Sequence, residues 1–166
     1  MPENAERAFA ARPDVLAGWV QLNTAVKANM DLRRYELATL AAARRLRSSY
    51  CALQHGRVLL EQFDAPVREI ALDRNAAGLD AVDVAVMDLA EKVVDDAASI
   101  EDEDRQPLRD LGLSEAEIMD VVLAAAARCF FSKTLDALGV RPDATFVELD
   151  PAVREVLVLG RPIADA

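Results

Sequence analysis

An all-α fold, a compact bundle of about six to eight helices in a single domain spanning residues 1–166, is predicted by three features of this chain. Apolar residues make up 52% of the sequence, much of it alanine and leucine, both strong helix formers. Aromatic residues contribute only 5%, and the 6 glycines and 7 prolines fall mostly between segments of helical periodicity. No segment alternates as a half-buried strand would. The alanine load also lets helices approach closely, so a homo-oligomer (dimer, trimer or hexamer) is expected.

Each element has a local cause. Pro13 and Asp14 open the first helix, which carries Val15, Leu16, Trp19, Val20, Leu22 and Val26 and ends near residue 29. Asp31 caps the next, with Leu32, Tyr35, Ala38, Leu40 and Ala42, ending around residue 46. Ser48 or Ser49 caps a third through Cys51, His55, Val58, Leu59 and Phe63. Residues 64–66 start a short fourth segment over 67–73, closed by a turn at 75–78. Asp80 caps a fifth, with Val82, Val86, Leu89, Ala90 and Val93 on its apolar side. Residues 95–104 are acidic but lack the alternating ligands, central glycine and closing glutamate of a calcium loop; they read as a solvated connector. Ser114 and Glu117 form a capping box that opens the longest helix, which runs to about residue 138 and stops at Gly139. The apolar run 153–159 in the tail is expected to add a short last helix or strap.

Charge and motif content exclude several functions. A net charge of −10 argues against nucleic acid or an anionic membrane as partner, since either needs a basic face. The longest apolar run, 121–127, is far too short to span a bilayer. The N-terminus has neither the basic start nor the apolar stretch of a secretion signal, and two cysteines far apart make no disulfide framework. The expectation is a cytoplasmic protein with reduced thiols. No Gly-rich phosphate loop, zincin motif or Gly-x-Ser-x-Gly occurs, so no cofactor is expected.

The strongest chemical signal is Cys51 followed four residues later by His55, the only histidine. That spacing sets both on one helix face. Cys51 falls at the third helical position if Ser48 is the cap, where the helix terminus favours negative charge. An acidic residue beside the imidazole would complete a nucleophile–base–orienter chain, and Glu36 is the only one between Asp31 and Glu61. One Cys and one His supply two metal ligands with no further cluster to complete a tetrahedron, so no metal is expected. The competing reading is a core cysteine and a hydrogen-bonded core histidine.

Glu36, eleven residues, Ser48, two residues, Cys51, three residues, His55 resembles the signature of the alkylhydroperoxidase-D-like, carboxymuconolactone decarboxylase superfamily. There the spacing is Glu, eleven residues, Cys, two residues, Cys, three residues, His. The segments 35–44 and 120–143 are similar to its peroxidase-related branch, and the resemblance covers roughly residues 14–143. It implies an all-helical fold assembled into trimers or hexamers, with a helical hairpin carrying the motif, and a thiol-based oxidoreductase reducing hydrogen peroxide or small organic hydroperoxides. In its terms Cys51 is the thiolate, His55 the base and Glu36 the relay acid, while Tyr50 stands where His or Tyr is frequent. Ser48 departs from the pattern. It can cap the helix or donate to the sulfur but cannot close a disulfide, which leaves a one-cysteine cycle with an external thiol as reductant.

Two alternatives are carried forward: lactone chemistry of the decarboxylase kind using His55 and Glu36, and a non-catalytic helical oligomer that has lost redox activity. Cys129, among apolar neighbours, reads as an inert core thiol. Arg44, Arg45, Arg47 and Arg57 read first as a helix end answering its dipole, and second as a steering patch. Trp19, Phe130, Phe131 and Phe146 read first as core or interface, and second as the lining of a hydroperoxide pocket.

Overall fold

The computed structural model describes residues 3–165. Among them the regular elements are all helical: α1 (Glu3–Ala8), α2 (Pro13–Lys27), α3 (Leu32–Arg45), α4 (Ser49–Phe63), α5 (Val67–Leu72), α6 (Ala81–Asp96), α7 (Asp102–Asp110), α8 (Glu115–Ala137) and α9 (Pro151–Leu157), with 3₁₀ turns at Ala97–Ser99 and Ala144–Glu148. No helix among the described residues is long and apolar enough to cross a membrane.

α3 is the central element and packs against α4, α6 and α8. Nine consecutive residues, Tyr35 to Ala43, are buried, so this helix is enclosed on all sides. Its alanines allow the close approach of three neighbours, and its charges sit at the ends, apart from Glu36. Asp31 caps it by accepting from the Arg34 N–H at 3.0 Å. Asp83 of α6, itself buried, holds the first turn by pairing with Arg33 and Arg34.

The predicted hairpin is α3–α4. α3 ends with the Ser48 N–H donating to the Ala43 carbonyl and the Arg47 N–H to that of Arg44, each at 2.9 Å. This is the Schellman closure, here with Arg47 rather than glycine in the left-handed region (φ 57°). The same closure ends α8, where Gly139 takes φ 76°. The Ser114–Glu117 capping box opens α8 as its spacing predicts.

Two expectations change. Residues 95–104 are not simply a connector: α6 runs to Asp96, and Glu101 and Asp104 form a capping box that starts α7. Glu101, Asp102, Glu103 and Asp104 serve the N-terminus of α7, where the dipole favours them, while Asp95 and Asp96 are the last residues of α6. The short α1 has no periodicity to reveal it and is held by tertiary bonds to Tyr50 and Asp143.

Candidate active site

Each side chain of the predicted motif is placed by the α3–α4 hairpin. Glu36 lies in the enclosed stretch of α3 and is 1% exposed, while His55 lies across from it on α4 and is 6% exposed. His55 Nδ1 is 2.5 Å from Glu36 Oε2, and Lys27, from the end of α2, reaches Glu36 Oε1 at 3.0 Å. Burial pushes the Glu36 carboxyl up, but His55 and Lys27 together outweigh it and hold it at about 2. Burial, reinforced by Arg128, takes His55 down to about 4 against the pull of Glu36. At neutral pH the pair is therefore a carboxylate and a neutral imidazole. The Nδ1–H donates to Glu36, and the Nε2 lone pair is left as the basic atom.

Cys51 is buried and reduced, at the third position of α4. Its sulfur is met by Arg128, on α8, which donates from Nη1 at 3.5 Å. Among the described residues no hydrogen bond joins Cys51 to His55, although both line one cavity of about 290 Å³. Trp19, Val20, Val58 and Phe131 supply apolar wall to that cavity, and Glu36, Tyr35, Tyr50 and Arg128 also border it. The Trp19 and Phe131 rings stack with centroids 4.0 Å apart. An apolar chamber with a thiol, a basic nitrogen and a cation can bind a small, partly apolar molecule and exchange protons with it.

The supporting residues divide. The Tyr50 hydroxyl accepts from the Ala5 N–H at 3.1 Å and donates to Asp143 Oδ2 at 2.9 Å. Burial and Asp143 hold this phenol well above its ordinary range, so it stays protonated and anchors α1 at the cavity wall. Ser48 occupies the cap position, yet its hydroxyl makes no capping bond, contrary to the expectation from sequence. That hydroxyl is buried without a hydrogen-bond partner, close enough to Asp136 to oppose the upward push that burial exerts on its carboxyl.

Other residues singled out in the sequence lie outside the cavity. Cys129 is half-buried, with its thiol pushed up by burial, and does not line the chamber. Phe130 is 46% exposed. Phe146 is buried beneath Arg57, whose guanidinium carbon is 4.6 Å from the ring centre. Arg44 ties α5 and α9 together through the carbonyls of Ala71 and Val156; Arg45 pairs with Asp95. The basic run is structural.

Sequence reasoning passed over Lys27, Tyr35 and, above all, Arg128. A signal for Arg128 does exist. It is the only charged residue between positions 121 and 131, and it falls in register with the buried stripe Ile118, Val121, Ala125, Ser132 and Leu135.

No protein-family model matches the chain, and no curated protein matches it. Solved structures do. The alkylhydroperoxidase AhpD core of an uncharacterized peroxidase-related protein from Ralstonia eutropha JMP134 superposes with a TM-score of 0.79 at 21% identity, over 86% of this chain and 78% of that one. An uncharacterized peroxidase-related protein from Silicibacter sp. TM1040 gives 0.77 at 20% identity, over 85% and 76%. The arrangement of helices that carries Glu36, Cys51 and His55 is thus that of the alkylhydroperoxidase AhpD core, and this chain has that all-helical fold.

Proposed function

We propose that the chain is a thiol-dependent peroxidase, reducing hydrogen peroxide or small organic hydroperoxides through Cys51 with an external thiol as reductant. The observation that supports this most is the pairing within one cavity of a free thiol and a neutral imidazole fixed in one tautomer by an ionised carboxylate. The likeness in fold to peroxidase-related proteins agrees with it.

The Cys51 thiolate attacks the terminal peroxide oxygen. An S–O bond forms, the O–O bond breaks, and the alkoxide (or hydroxide) leaves and takes up a proton as alcohol or water. The sulfur is oxidised to a sulfenic acid and the peroxide is reduced. His55 carries protons between sulfur, solvent and departing oxygen through Nε2, and Glu36 fixes the ring that does so. An external thiol then attacks the sulfenic sulfur, expelling water and leaving a mixed disulfide; a second thiol releases Cys51. Ser48 cannot substitute for that second thiol, and Cys129 lies off the cavity.

The test is thiol loss under stoichiometric peroxide in a Cys129→Ser background. A single thiol should disappear, be trapped as the sulfenic acid, return on adding thiol, and be absent from Cys51→Ser. A thiol that persists under excess peroxide overturns the reading. Activity on a lactone that survives Cys51→Ser but not His55→Ala would move the chemistry to the imidazole and carboxylate alone.

A further inference from the structure

Among the described residues Arg128 is a buried cation without a matching carboxylate. Only 3% of it is exposed, and a guanidinium keeps its proton at any physiological pH. Burying such a charge without a counter-ion is costly, and two other buried charges here are matched by opposite ones. Asp83 has Arg33 and Arg34, and Glu36 has Lys27. Arg128 forms no ion pair with a carboxylate among the described residues. Its Nε–H has no partner, and its other two bonds go to Cys51 Sγ at 3.5 Å and the Tyr35 hydroxyl at 3.3 Å.

We infer that Arg128 is a positioning residue that holds the negative charge of the Cys51 sulfur, as the thiolate before peroxide attack and as the sulfenate after it. Of its two acceptors a thiol ionises more readily than a phenol, so the sulfur is the anion this cation can acquire. The guanidinium is aimed, not mobile. Tyr35 receives one arm and is itself fixed by donating to Asn23 Oδ1 at 2.5 Å, and the Trp19 and Phe131 ring centres each lie 5.7 Å from the guanidinium carbon. The Ser48 hydroxyl, buried without a hydrogen-bond partner, does not serve the sulfur. The thiol proton goes to solvent when the pair forms, which divides the labour: Arg128 keeps the charge, and the bare Nε2 of His55 takes a proton from solvent and passes it to the leaving oxygen.

The inference deepens the peroxidase reading and rests on it for the sulfenate stage only, so the two fail separately. The experiment measures thiolate absorbance in the far ultraviolet, and iodoacetamide alkylation, across pH in a Cys129→Ser background with Cys51→Ser as blank. Thiolate is expected at pH 7 in the parent and in His55→Gln. Arg128→Met should lose it at that pH and alkylate at least tenfold more slowly, and Arg128→Lys should recover part of both. Arg128→Gln applies the same criterion without the charge if the methionine variant does not fold. A parent without thiolate at pH 7, or a thiolate lost in His55→Gln and kept in Arg128→Met, overturns the assignment. A thiolate that depends on Arg128 yet ignores peroxide leaves it standing and removes the peroxidase reading; peroxide-dependent oxidation that ignores Arg128 does the reverse.

Discussion

Both carboxylate oxygens of Glu36 are engaged, one by the His55 ring and the other by the Lys27 ammonium. Replacing it by glutamine keeps the shape but turns one acceptor into a donor, which must face either an N–H or an ammonium. On the proposed peroxidase reading, Glu36→Gln is therefore expected to slow peroxide turnover by about 10²-fold or more, the usual weight of a positioned acid–base group. It should also lower folding stability by about 1–3 kcal/mol, the cost of a buried group left unsatisfied. Turnover and urea unfolding of one preparation measure the two effects. Lys27 acts on the same pair from the other side: its charge disfavours a second cation on His55 and shares the carboxylate with it. Lys27→Met should raise the His55 titration midpoint. The chain has a single histidine, so one ring-proton resonance followed against pH by NMR reads the shift, and a fall instead of a rise would contradict the arrangement.

At the level of elements, what was legible in sequence was what local rules determine. Asp31, Asp80 and the Ser114–Glu117 box start helices where their spacing says they should, and Gly139 ends one where a left-handed residue is wanted. The Glu36–His55 bond was also foreseeable, because Glu36 was the only acid available on the preceding helix. The remainder depends on contacts across long stretches of chain, which carry no local signature. Arg128 meets Cys51 from 77 residues away, α1 is held by Tyr50 and Asp143 rather than by its own pattern, and Ser48 turns from the cap role that its position suggests. The tail beyond α9 is another such contact. Its Gly160 N–H donates to Ser49 Oγ at 2.8 Å, and a Cβ there would lie 2.3 Å from the Arg47 carbonyl oxygen. That oxygen belongs to the backbone closing α3 and cannot rotate away. Gly160→Ala should thus lift the tail from the hairpin turn and cost about 1–3 kcal/mol, as overpacking does. Denaturant unfolding checks the loss; a variant as stable as the parent would show that the tail is not seated there.

For the molecule as a whole, the buried relay links the site to global stability through pH. His55 is held at about 4 in the fold against an ordinary 6.5, so between those values the unfolded chain binds more protons than the folded one. Stability tied to this group is complete above about 6.5 and is lost as pH falls toward 4, at up to about 1.4 kcal/mol per pH unit. Glu36, held at about 2 against an ordinary 4.5, adds a second loss in the same direction, but only below about 4.5. A net charge of −10 acts oppositely over the first window, since protonating surface carboxylates relieves self-repulsion. The parent curve alone would mix the two effects. The difference between the parent and His55→Gln removes the surface contribution, which both share. That difference, from urea unfolding at pH 7, 6 and 5, should shrink steadily toward lower pH as the parent loses what the variant never had. A difference independent of pH would mean that the imidazole takes its proton as readily in the fold as in the open chain, and the site would then lack the neutral base on which the proposed chemistry depends.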